Sequence, residues 1–583
     1  MSYIIISSPV GTGETDAIKK IKNVFGNDKV EHHDVETSLC LSEKARAAVS
    51  RLSGLSLSSS QTLTMREVTE DLPRKTVTSL WCEHLGSCLD KLFQSTATYK
   101  IVSCNLMLYG HVRSEFYSPV DISTFLKHGE AFKPSHVVVL IDDIYDMFLR
   151  LSVETQLYDD ASLAGELQQI WSGSGRPGRE DFGELERSYQ VFRWKLNCLT
   201  QLLEWRHAEI LNAESLANQT GAKFMVCGVK QLTEMTTHWL KESEAKAIYL
   251  SHPIAQSRRN HTETGVWDHF SYGFNRIQGQ MLKENLSCIM PTGIDEFRFP
   301  KSPGISGMEP SLGKLCQRWE PPSPADIGTN TGSHYASLMY SLPAGSNNIN
   351  HEDFFGQAGQ VLEHASTTLE GQAARTRLQA FVDRVTSQVS ARDHLLVAYA
   401  DALLVYRPLY NFDGFAGGVQ EEILHWYKGH RPRIAFIHFS LDVQTLFAQD
   451  EIKHRLENDA RRLAVDLIHE DFKSTSKEDI ERIIEEALEF TPRSMLGRLT
   501  GRAIQIKQDV PAYIDRAKES LVWYHLTRSR SIDETNTSLW IVSDEETVWS
   551  VLPNIAKFLN ETSPRPSTEW KKSIRSMLKD TYF

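Results

Sequence analysis

Two adjacent carboxylates, Glu421 and Glu422, open an apolar-striped stretch from Val419 to Tyr427, directly behind a run that holds Gly414, Gly417 and Gly418. Glycines at such a turn let a ligand come close to the main chain, within reach of these carboxylates. The competing explanation is local, because acidic side chains in the first turn of a helix also favour the helix dipole. Other residues of useful type are Asp393, Asp413, Tyr249, Ser251 and His252. Near the amino terminus, Gly11, Gly13 and Thr15 follow a β-branched run, and Asp142-Asp143 end another. Glycines after a strand let backbone N–H groups surround phosphate, and acids at a strand end can hold magnesium or an attacking water. Asp142 can equally cap the helix that follows.

The elements that would position Glu422 are readable around it. Ala400 to Tyr406 (ADALLVY) predicts a strand that stops at Arg407-Pro408, because proline lacks the N–H of a ladder. The glycines predict a loop with backbone freedom. Val419 to Tyr427 predicts a helix and Arg433 to His438 the next strand. This strand, glycine turn, glutamate and strand resemble the nucleoside 2-deoxyribosyltransferase-like fold, a relative of TIR domains. In that family an aspartate leads the strand and a Gly-x-x-x-Glu turn delivers the nucleophile.

Here Asp401 leads the strand and Gly418 stands four residues before Glu422, with Asp393 eight residues before Asp401. The resemblance implies Glu422 as nucleophile, with Glu421 as the substitute if the turn is shifted by one residue. It gives Asp393 the part of orienting the base or donating a proton. The aspartate that the family keeps shortly before the glutamate is displaced, since Ala416 lies near that place and Asp413 is the nearby acid. Lys246 to Ile254 (KAIYLSHPI) resembles the family's first strand and loop, which implies that Tyr249, Ser251 and His252 line a ribose site. A second strand at Leu286 to Met290 leads to PTGIDEFRF, with Asp295, Glu296 and Arg298 at the cleft edge. Pockets of open α/β sheets lie beyond the carboxyl ends of the strands, where these loops meet.

In the amino-terminal part, Met1 to Val10 predicts a strand, followed by Gly11-Thr-Gly-Glu-Thr15 and a helix to about Val24. The layout is that of a phosphate-binding loop, but Ser8 takes the place of the first glycine and Glu14 the place of the lysine. A carboxylate facing a triphosphate is repulsive, so ATP turnover is not expected. Further strands are read at Tyr99 to Tyr109, at Pro134 onward and at Lys223 to Lys230, alternating with helices. Four strands in this order make a three-layer α/β domain. The order resembles an adenylate-kinase-like P-loop domain, which implies a nucleotide sensor or scaffold and, if ATP and Mg are bound at all, Gly11, Gly13, Thr15 and Asp142 around them.

The whole chain sets bounds. Its 583 residues, 41% of them hydrophobic, suffice for more than one core. The expected division is a degenerate P-loop kinase-like domain over 1–243, a deoxyribosyltransferase-like parallel-sheet domain over 244–445, and a mostly helical region over 446–583. A net charge of −12 argues against a dominant nucleic-acid footprint. The eight cysteines form no zinc pattern, so no metal is expected. No apolar run is long enough to span a membrane and no leader pattern opens the chain, which predicts a cytoplasmic protein. The expected activity is cleavage or exchange of an N-glycosidic bond in a nucleoside, nucleotide or NAD, needing no cofactor. The alternatives are a P-loop kinase or ATPase, and a nucleotide-binding regulator without catalysis. Apolar stripes on the carboxy-terminal helices offer surfaces for a homo-oligomer. By analogy of layout, glycosidase-like modules fused to a sensing domain serve as toxic effectors in antiviral defence.

Overall fold

The computed structural model describes residues 2–53, 58, 61–110, 115–142, 144, 147–148, 151, 184–229, 240, 245–253, 277–289, 369–409, 417–429, 433–488, 501–528 and 536–561. The chain is α/β with parallel sheets. It divides into two compact units, residues 1–245 with 291–399, and residues 246–290 with 400–583.

The first unit is built on five parallel strands: β1 (Ser2–Ser7), β2 (Val30–Asp34), β3 (Tyr99–Ser103), β4 (Lys133–Ile141) and β5 (Lys223–Gly228), in the order β2-β3-β1-β4-β5. The central strands are continuous apolar runs because helices cover both faces of such a sheet. Ile4, Ile5, Ile6 and Val137 to Ile141 are all buried, each contributing roughly 1.5–3 kcal/mol of hydrophobic stabilisation. Helix α1 (Glu14–Phe25) follows β1, α2 (Arg74–Gln94) precedes β3, and α3 (Glu184–Thr220) precedes β5. Helix α4 (Leu369–Tyr399) lies along α3, tied by Arg384 to Glu204 at 2.6 Å, and its Tyr399 ring meets Phe224 of β5.

Two features differ from the sequence reading. Strand β2, VEHHD, is half-buried throughout and carries no apolar alternation, as an edge strand permits. The stretch Tyr99 to Tyr109 is not one strand. It ends at Ser103, and Leu108–Gly110 pairs antiparallel with Glu115–Tyr117. The cause is a side chain: the N–H groups of Leu106 and Met107 both donate to the buried Glu209 carboxylate, each at 2.7 Å, which turns the chain out of the ladder.

The second unit has its own five parallel strands: β6 (Lys246–Ser251), β7 (Leu286–Ile289), β8 (Ala402–Tyr406), β9 (Ile434–Phe439) and β10 (Thr537–Val542). Their order, β10-β9-β8-β6-β7, is the doubly wound 2-1-3-4-5 arrangement, with its switch point between β6 and β8. Strand β10, which contains Trp540, is the edge of this sheet and not part of a separate helical region. It pairs with β9 from Ile434↔Thr537 to Phe439↔Val542. Helix α5 (Gly417–Lys428) joins β8 to β9. Between β9 and β10 come α6 (Ser440–Phe447) and three longer helices, α7 (Asp450–Asp471), α8 (Lys477–Leu488) and α9 (Gly501–Thr527). These three enclose a core of Ala464, Ile468, Ile480, Ile484, Ile506 and Val510. Helix α9 runs unbroken through Pro511. Helix α10 (Glu545–Asn560) is capped by Asp544 and packs back on β9 and β10. No described helix is long and apolar enough to cross a membrane.

Candidate functional site

Helix α5 carries its buried stripe at Val419, Glu422, Ile423 and Trp426, the spacing of one helical face. Glu422 is the anomaly in that stripe. A carboxylate is seldom buried unless its oxygens are satisfied, and here two hydroxyls from β6 satisfy them. The Tyr249 hydroxyl donates to Oε1 at 2.6 Å, and the Ser251 hydroxyl donates to Oε2. Tyr249 and Ser251 are themselves fully buried. They are two residues apart on a strand, so both point to the same face of the sheet. Glu421, the alternative, is exposed.

The place matters as much as the contacts. Ser251 is the last residue of β6 and pairs in register with Val405 of β8, so the hydroxyls come from one of the two strands that flank the switch point. Glu422 comes from the crossover that leaves the other. The next residue after β6, His252, is also buried, and its Nδ1 lies 3.2 Å from the Leu250 carbonyl oxygen, the geometry of a local turn contact. The carboxylate and its two hydroxyls thus form a fixed acidic centre at a position where doubly wound sheets hold ligands.

The remaining expected residues divide. Asp401 is a clamp at the opposite, amino edge of the sheet, its Oδ2 accepting from the Ala247 N–H at 2.8 Å. Asp393 lies in α4, which belongs to the first unit, and its carboxylate is bound to Arg392 at 2.9 Å. Helix α4 runs on to Tyr399, so the chain just before β8 is helical. Gly417 and Gly418 form the first turn of α5 and take no left-handed angle, because the helix begins two residues before its apolar stripe. A Cβ at Gly418 would meet open space, so this glycine is not required by close packing. Asp295 and Asp413 lie outside the described residues.

In the first unit the loop after β1 is turned by two glycines and holds an acidic side chain. Gly11 and Gly13 both take left-handed angles, with φ of +83° and +82°. A Cβ on Gly11 would come within 2.7 Å of the Leu151 side chain. The Ser8 hydroxyl donates to Glu14 at 2.6 Å, and burial pushes the Glu14 carboxyl up to about 7, with hydrogen bonds from Ser103 and Ser8 opposing and Asp34 adding to the rise. A carboxylate folded back into the loop in place of a lysine does not suit a nucleotide triphosphate. Thr15 is exposed on α1, and Asp142 is buried at the end of β4, its backbone oxygen accepting from Arg206 at 3.3 Å.

Sequence reasoning missed Glu209, which α3 inserts beneath the same strand ends. Its carboxylate also accepts from the Ser7 hydroxyl, and burial raises it to about 8. A polar position on the inner face of a long helix is the only trace it leaves in the sequence. Among the described residues no cluster of His, Cys, Asp and Glu is arranged to hold a metal ion. No protein-family model matches this chain, and no curated protein matches it.

Proposed function

We propose that the second unit cleaves or exchanges an N-glycosidic bond of a nucleoside, nucleotide or NAD, with Glu422 as the nucleophile. The observation that carries this reading is the buried Glu422 carboxylate held by two hydroxyls beside the switch point of a parallel sheet. One carboxylate oxygen attacks the anomeric carbon as the bond to the base breaks. The base leaves with the bonding electrons and takes up a proton. Water then releases the sugar, or a second base accepts it, so hydrolysis and transfer share the first half-reaction. The Tyr249 and Ser251 hydroxyls fix the carboxylate's orientation before attack, which reduces the reorganisation left for the transition state. The strand order and the strand, turn and glutamate sequence are in keeping with a deoxyribosyltransferase-like domain.

For the first unit we read a degenerate P-loop domain that serves as scaffold or regulator. Its strand order and its two left-handed glycines favour that ancestry, and the inward Glu14 weighs against ATP and Mg chemistry. Incubating the full chain with NAD and with a panel of nucleosides, then separating products by chromatography, tests the proposal. Appearance of free base supports it. Intact substrates throughout, from a folded protein, would reject it.

A further inference from the structure

The strand that ends beside Glu422's crossover does so in an unusual way. Arg407, the first residue past β8, has φ of +52°, a left-handed angle that residues with a side chain seldom adopt. Its successor is Pro408, and a residue before proline is steered toward extended angles. Such a conformation persists only where the surroundings over-determine it.

The surroundings here are specific. The Arg407 N–H still donates to the Ile437 carbonyl of β9 at 2.7 Å, so the backbone is pinned to the sheet as it turns. Its guanidinium donates from Nε to Oδ2 of Asp442 at 3.0 Å and from Nη2 to Oδ1 at 3.3 Å. The same group lies over the Phe439 ring, 4.3 Å from its centre. Asp442 sits in the first turn of α6 with its side chain 1% exposed, and Phe439 ends β9. A two-point pair of this kind fixes direction as well as distance. Arg407 therefore joins the turn that leaves β8 to the turn that leaves β9, at the carboxyl edge of the sheet, and the first of these turns leads to α5 and Glu422.

We propose that Arg407 is a positioning residue: the Arg407–Asp442 latch holds the exit from β8 in its left-handed turn and thereby fixes the start of α5 and the placement of Glu422. The catalytic consequence rests on the function proposed above, whereas the structural one does not. The test uses the full chain with Arg407→Gly, Arg407→Lys and Asp442→Asn. Glycine takes the left-handed angle freely but has no guanidinium, so Arg407→Gly separates the latch from the backbone angle.

Hydrogen exchange of the α5 amides, residues 417–428, is the first readout. Arg407→Gly and Asp442→Asn should each speed it about 5-fold or more, while exchange in β6 and in α2 of the first unit stays as in the parent. Arg407→Lys, which keeps the charge without the fork, should fall between. The second readout is base release, where kcat should fall about 10- to 100-fold with KM within about 3-fold. The double variant Arg407→Gly/Asp442→Asn should be no slower than the worse single variant. Unchanged α5 exchange in Arg407→Gly and Asp442→Asn overturns the latch, as does an increase shared equally by β6. If the parent protein releases no base, the proposed function fails, and exchange alone still decides the latch.

Discussion

Glu422 sits on the buried stripe of α5 because two hydroxyls donate to its carboxylate there, and each is therefore expected to matter on its own. Tyr249→Phe leaves Oε1 without this donor. We expect kcat for base release to fall about 10- to 100-fold in Tyr249→Phe and in Ser251→Ala, as measured by steady-state kinetics. The double variant should lose less than the product of the two, since both act through one carboxylate. In the first unit, Gly11→Ala should destabilise by about 1–3 kcal/mol, read from hydrogen exchange in β1, because the new methyl meets Leu151 at an angle alanine avoids.

At the scale of elements, the second sheet is interrupted by α7, α8 and α9 before it is completed by β10, so the three-helix core stands apart in the chain from the strands it separates. Ile506→Ala should cost about 2–5 kcal/mol, seen as faster exchange across α7 to α9. The apolar runs at Ser2–Ser7, Lys246–Ser251, Ala402–Tyr406 and Ile434–Phe439 were legible in the sequence, because buried parallel strands are written in consecutive β-branched and aromatic residues. Tyr249, Ser251 and Glu422 were named from the resemblance, with the two hydroxyls set against a ribose; their bonds to the carboxylate were not legible. Nor was strand β2, since a half-buried edge strand can carry Glu31, His32 and His33 in place of apolar residues. The membership of β10 was hidden by the intervening helices, because pairing with β9 is a property of space and not of sequence distance. That α4, which carries Asp393, is counted with the first unit was likewise not legible from spacing along the chain. Glu209 was hidden by distance too, since its partners Ser7, Leu106 and Met107 come from remote segments.

Over the whole molecule, the first unit holds three acids with raised protonation, buried Glu209 and half-buried Glu14 and Glu36, and these shape how stability responds to pH. Burial raises Glu14 to about 7, and raises Glu36 and Glu209 to about 8, with Asp34 and Glu14 adding to the rise at Glu36. The folded unit therefore binds these protons more tightly than the unfolded chain, and it loses stability as pH rises from 4.5 through 8. Burial acts oppositely on His32 and His136, lowered to about 4, whose effect favours folding as pH rises and is complete by 6.5. Between about pH 6.5 and 8 the acids decide, and exchange in β1 and β4 should report a loss on the order of a few kcal/mol. Glu14→Gln, which cannot ionise, should flatten that slope. The central claim concerns the other unit, and paired variants test it most directly: base release by Glu422→Gln measured beside Glu421→Gln. The account predicts that the first loses at least about 1000-fold while the second stays within about 3-fold of the parent; parental rates in Glu422→Gln, or equal losses in both, would contradict it.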